Sequence, residues 1–223
     1  MMISELIGNI DWYDIWMATL DTLLMLGGSL FFTVLFGLPL GVLLFLTGPR
    51  QMFERKITYS VLSLLVNALR SLPFIILLIV MIPLTKLITG TSLGVAGAIP
   101  PLVVGATPFF ARLVETALRE VDRGIIEATQ SMGASTWQII TRALLPESRP
   151  GIIAAVTVIA ITLVSYTAMA GVVGGGGLGD LAIRYGYQRF QTDVMVVTVI
   201  LLLVLVQILQ SIGDRLVVHY SRK

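Results

Sequence analysis

The sequence predicts an all-α membrane protein with five transmembrane helices and a helical hairpin in one of its aqueous loops. Three observations carry this: the composition, five long apolar runs, and a polar but helix-patterned block between two of them. Of 223 residues, 56% are hydrophobic and 13% charged, whereas a soluble domain carries about 25% charged residues. Mean hydropathy is +0.93. The net charge of +2 is small and the Lys and Arg residues fall in a few loops, so the basic balance reports orientation in a membrane, not a nucleic-acid partner. Cysteine is absent and histidine occurs once, which excludes disulfides and thiol chemistry and argues against a His-rich metal site.

Five runs are long enough to cross about 30 Å of hydrocarbon, which takes roughly 20 helical residues. They lie at about 20–46, 57–82, 93–111, 151–173 and 194–213 in a single domain over 1–223. The chain opens Met-Met-Ile-Ser-Glu with no Lys or Arg before Arg50. The positive region of a cleavable signal is therefore missing, and the first apolar stretch is expected to be retained. Loops one and three and the tail hold eleven cations against three on the opposite side, with Arg70 inside a span. The positive-inside bias places the N-terminus outside and the tail in the cytoplasm. Trp12, Tyr13 and Trp16 then form an aromatic belt at the outer interface, with Asp11, Asp14 and Asp21 nearby.

The polar block from about 112 to 149 is thereby cytoplasmic. Asp122-Arg123-Gly124 punctuates it, and from Ile125 the residues Ile125, Ile126, Ala128, Thr129 and Met132 recur at helical spacing up to Gly133, a left-handed C-terminal cap. Ser135 and Gln138 make a Ser-x-x-Gln capping box for a second helix. Trp137, Ile140, Ala143 and Leu144 give that helix an apolar stripe, and Pro146 is expected to close it. A surface-lying hairpin results, either partnered or simply amphipathic.

Within the spans, Arg70 would cost about 2.5 to 3.5 kcal/mol at the centre of a bilayer, so it is expected to face the bundle interior or an aqueous cavity. Pro73 is expected to kink the same span, freeing carbonyls that Arg70 or Asn67 could satisfy. Gly37 and Gly41 allow a close helix approach, while Pro39 between them allows a bend. Met169 projects as one long, flexible, apolar side chain from thin neighbours, Ala168, Ala170 and Gly171, a pattern that ordinary helix packing also produces. The run Gly174–Gly177 lacks a following Gly-Lys-Ser/Thr, so it reads as a tight turn with positive backbone angles, not as a phosphate loop. It leads into Arg184, Tyr185, Tyr187 and Arg189, a surface for a delivering protein or for interfacial anchoring.

No catalytic constellation is visible, and His219 has no evident partner. The chain is not expected to be an enzyme by itself. The competing class, an ion-coupled secondary transporter or a membrane-anchored scaffold, lacks its usual marks here: no inverted repeat and no acidic residue in mid-span. Because five spans enclose little volume, a homodimer with the pathway on its two-fold axis is expected.

The block resembles the cytoplasmic signature of bacterial ABC importer permeases, Glu-Ala-Ala, then Gly after three residues, then Ile-x-Leu-Pro. Glu127, Ala128, Gly133, Leu145 and Pro146 match, while Thr129 and Ala143 depart. Asn67 to Leu78, Met81-Ile-Pro, Gly90-Thr-Ser, Met132-Gly-Ala, Ser165 to Asp180 and Tyr185-Gly-Tyr look like the methionine-importer permease family. The resemblance implies a type I, binding-protein-dependent permease of the bacterial inner membrane. It implies as partners a second copy, two cytoplasmic ATP-binding-cassette subunits, an extracytoplasmic methionine-binding protein and membrane lipid, with no nucleic acid. It further implies that Ile126, Glu127, Ala128, Met132, Gly133, Ala134 and Pro146 engage the ATPase, and that Met169, Arg70 and Ser165 line the gate or pathway. No cofactor or metal is expected on this chain, ATP and Mg belonging to the partner. Uptake of L- and D-methionine follows. Another amino acid, a peptide or a sulfur compound stays open, since specificity in such systems resides largely in the external protein.

Overall fold

The computed structural model describes residues 11–221, which are helical with no strand among them. Met1 to Ile10, on which the retained-signal reading rests, lie outside the described residues, as do Arg222 and Lys223 of the cationic tail. The long helices are α1 (Trp12–Thr47), α2 (Lys56–Ser71), α3 (Phe74–Thr89) and α4 (Gly94–Arg119). Short helices α5 (Arg123–Ser131), α6 (Thr136–Ile139) and α7 (Leu145–Glu147) follow, then the long α8 (Arg149–Gly171), the short α9 (Gly177–Leu181) and the long α10 (Thr192–Ser221). Helices α1, α4, α8 and α10 are each long and apolar enough to cross a membrane.

The second predicted span, 57–82, is broken. Helices α2 and α3 have sixteen residues each, about 24 Å at 1.5 Å per residue, and meet at a bend of 107°. Pro73 is the cause: it offers no N–H and pushes Leu72 out of the helical region. Its own carbonyl then starts α3, accepting from the N–H of Ile76 (2.9 Å) and Leu77 (3.1 Å). The freed Ala68 carbonyl accepts from the Ser71 hydroxyl at 2.7 Å, a partner other than the expected Arg70 or Asn67. Arg70 stands in the last turn of α2, where its charge opposes the negative end of the helix dipole, and not in mid-span. Helix α1 starts at Trp12, eight residues before the expected 20, because the Asp11 carboxylate accepts from the N–H of Tyr13 (2.9 Å) and Asp14 (3.4 Å) as an N-terminal cap. It continues unbroken through Pro39.

The chain forms two compact units. In the first, residues 11–32, 72–106 and 160–209, one buried cluster is Ile15, Ala18, Leu178, Leu181 and Val194. The Leu178 N–H donates to Thr22 Oγ1 at 2.8 Å, and Gly94 donates to the Gly174 carbonyl at 2.8 Å. Phe74 stacks flat on Tyr166 with ring centres 4.2 Å apart. In the second, residues 33–71, 107–159 and 210–221, one buried cluster is Leu44, Val66 and Ala111. Here Gly37 and Gly41 press against α4: a side chain on either would meet Phe110, or Ala111 and Val114. Outward-facing Phe31, Leu35, Phe36, Leu203, Val204 and Ile208 are exposed, a greasy exterior suited to hydrocarbon.

Candidate coupling hairpin and pathway residues

The hairpin is assembled by local caps. Asp122 accepts from the Gly124 N–H at 2.6 Å and starts α5 at Arg123, two residues before the periodicity indicated. Gly133 has φ +76°, the left-handed angle expected of a C-terminal glycine. The capping box is complete: the Ser135 N–H donates to Gln138 Oε1 (2.8 Å) and the Gln138 N–H to Ser135 Oγ (3.4 Å). Pro146 does not close the second helix. A wide π turn over Ile140–Leu144 lets the Leu145 N–H reach the Ile140 carbonyl five residues back, which makes room for the proline ring inside α7.

The face so presented is unusual for its apolar content. Glu127, Ala128, Met132 and Gly133 are exposed, Met132 at 77%, and Ile126, Ala134 and Pro146 are half-buried. Trp137 joins them at 72%. Opposite α5, Arg50, Gln51 and Met52 from the α1–α2 connection form a groove with Arg123, Ile126, Glu127 and Gln130. Thr129, which replaces the usual second Ala, donates its hydroxyl to the carbonyls of Ile125 (2.8 Å) and Ile126 (2.9 Å), so the departure leaves no unmet polar group.

The pathway candidates divide between the units. Ser165 and Met169 are exposed one turn apart on α8 in the first unit, Met169 at 46%, and Val172 is exposed just past its end. Arg70 belongs to the second unit, where its guanidinium lies over the Phe109 ring at 5.1 Å. In the segment after the glycine run, Arg184 pairs with Asp180 at 2.5 Å. The hydrogen bond that Arg184 donates to the Asp180 carboxylate holds its guanidinium above the usual range, against the opposing effect of partial burial. Tyr185 is flanked by Arg184 (5.6 Å) and Arg189 (4.5 Å).

One group was not anticipated. Helix α4 runs on to Arg119, so residues 112–119 of the expected loop are helical. On those turns Glu115 is 1% exposed and is held by Arg112 at 2.6 Å and Arg119 at 2.7 Å. Tyr59 of α2 donates to it at 3.1 Å. The signal in the sequence was the Arg-x-x-Glu-x-x-x-Arg spacing, which puts all three charges on one helical face.

With this geometry in view, residues 34–223 match the family described as binding-protein-dependent transport system inner membrane component. The chain belongs to this family. It is 50% identical over 214 residues to the probable D-methionine transport system permease protein MetI of Vibrio cholerae, covering 96% of this chain and 92% of the relative. It is 48% identical over 213 residues to the methionine import system permease protein MetP of Bacillus subtilis, covering 96% of each. Among solved structures, a chain of the MetNI methionine ABC transporter in an inward facing conformation superposes with a TM-score of 0.91 at 46% identity. That match covers 95% of this chain and 99% of the other. The fold of this family member is therefore that of a type I ABC importer permease, all-α and membrane-embedded, and its class is that of an inner membrane transport component.

Proposed function

We propose that this chain is the permease subunit of an ATP-binding-cassette importer that carries methionine, L- and D-, into the cell. The observation that carries the reading is the capped hairpin Asp122–Glu147 on a chain half identical, over nearly its whole length, to methionine permeases. Two copies form the pathway. Two ATPase subunits dock on the α5 face and supply the ATP and Mg site, and an extracytoplasmic methionine-binding protein delivers substrate. The N-terminus is outside and the tail in the cytoplasm.

In this scheme Ile126, Glu127, Ala128, Met132, Gly133, Ala134 and Pro146 make the contact with the ATPase. ATP binding draws the two ATPase subunits together, the α5 helices follow, and the spans pass from inward-open to outward-open as a shift of population. Ser165, Met169 and Arg70 line the route. Met169 acts as an apolar plug that excludes water and ions yet repacks easily.

Two measurements test this. Uptake of labelled L-methionine into liposomes holding the assembled transporter and binding protein should need ATP and be competed by unlabelled L- and D-methionine. ATP-driven uptake that unlabelled methionine fails to reduce would reject the substrate. For the gate, Met169→Ala should assemble normally and change transport or admit a leak. Unaltered transport in a tight membrane would remove Met169 from that role.

A further inference from the structure

The buried charge at Glu115 lies where α5 begins its connection to the rest of the second unit. Glu115 Oε2 accepts from Arg112 Nη1 (2.6 Å), and Oε1 accepts from Arg119 Nη2 (2.7 Å) and Nε (3.2 Å) and from the Tyr59 hydroxyl (3.1 Å). Arg112 Nη2 reaches on to Ser63 Oγ (2.7 Å) and Asn67 Oδ1 (3.0 Å). Tyr59, Ser63 and Asn67 are one turn apart along a single face of α2, so the last turns of α4 are fastened to three successive turns of α2. Arg119 also packs on the backbone after α1, where a side chain on Gly48 would come within 2.9 Å of Nη2. Three residues beyond Arg119 stands Asp122, the cap of α5. Val121 between them is buried and its N–H donates to the Leu118 carbonyl, so the joint has little slack.

Burying a carboxylate has a desolvation cost that apolar side chains of similar volume avoid. Apolar contact alone, however, allows two helices to slide between neighbouring registers. Directed bonds between the helices, Tyr59 to Glu115 and Arg112 to Ser63 and Asn67, permit one register, while Arg112 and Arg119 hold the carboxylate in place from α4 itself. We propose that Glu115 is a positioning residue for energy coupling: with Arg112, Arg119 and Tyr59 it locks α4 to α2, so that displacement of α5 moves both helices as one piece toward the break at Leu72-Pro73. This rests on the reading of α5 as the ATPase contact.

The test uses the complete transporter in liposomes with binding protein and labelled L-methionine, and reads ATP hydrolysed per methionine taken up, beside basal hydrolysis and melting temperature. Tyr59→Phe and the double variant Ser63→Ala/Asn67→Ala cut the α2 side and leave the ion pairs of α4 in place. Both should assemble with basal hydrolysis near wild type. Each should raise ATP spent per methionine by about fivefold or more, the low end of couplings between distant sites. Glu115→Gln should raise it further; should it fail to assemble, the other two variants decide. Variants that assemble and keep the wild-type ratio overturn the proposal, as does a lowered melting temperature with that ratio unchanged. A wild-type transporter in which uptake and hydrolysis are unlinked would instead reject the coupling reading itself, and this proposal with it.

Discussion

Gly41→Val is expected to lower the stability of the folded permease by about 3 kcal/mol or more. Helix α1 lies on α4 so closely that a Cβ at Gly41 would stand 2.6 Å from both the Ala111 carbonyl oxygen and Val114 Cβ. One turn earlier, a Cβ at Gly37 would stand 2.7 Å from the Phe110 ring. Gly41 has no positive φ, so space, not backbone angle, selects glycine here. Forcing extra carbon into packed helices costs typically about 1 to 3 kcal/mol, and a main-chain oxygen cannot rotate away, which puts Val at or above the upper figure. Gly27 is the control, with nothing within 4 Å of its missing side chain. Gly27→Ala should hold or raise stability by about 0.5 to 1 kcal/mol, since Ala restricts the unfolded chain. Thermal melting of the purified protein separates the two, and a Gly41→Val protein that melts with wild type would refute the close-packing account.

Gly179→Ala should rank second in effect. Its added methyl would fall on the backbone of Ala168, and one at Gly171 would fall on the backbone of Asp180. The last turn of α8 and the helix α9 are thus in main-chain contact, and neither side has a side chain to move. The preceding run supplies the angles: Gly174, Gly176 and Gly177 have φ of +84°, +79° and +80°, which cost other residues about 1 to 2 kcal/mol each. The loss at Gly179 should be about 3 kcal/mol. Because Ala168 adjoins Met169, protein that survives should also transport poorly or leak. Normal melting and normal uptake together would show that α8 and α9 have room to part.

What was legible in the sequence was mostly local. The Ser135–Gln138 box and the left-handed Gly133 depend on residues within one turn, and the structure has both where the sequence pattern puts them. The apolar periodicity begins only at Ile125, whereas the Asp122 cap starts α5 two residues earlier at Arg123. Pro73 announced a bend, yet whether a proline kinks a helix or ends it depends on how the flanking helices pack, which no short window contains. Pro146 was misjudged because the π turn that accommodates it answers to packing of the whole hairpin. The end of α4 was hidden for the same reason: Glu115 takes a hydrogen bond from Tyr59, 56 residues away, and only that long-range partner makes a charged turn a stable helical one. The substrate came from resemblance, since no residue pattern in the spans spells methionine.

In the proposed transporter the α5 hairpin faces the cytosol and is gripped there by an ATPase. The chain has no cysteine, so Glu127→Cys creates a single reactive thiol on the exposed face of α5. A membrane-impermeant maleimide should leave this thiol unmodified in intact cells, modify it readily in inside-out vesicles, and do so more slowly when the ATPase subunits are bound. Modification in intact cells, on the outer face, would contradict the account.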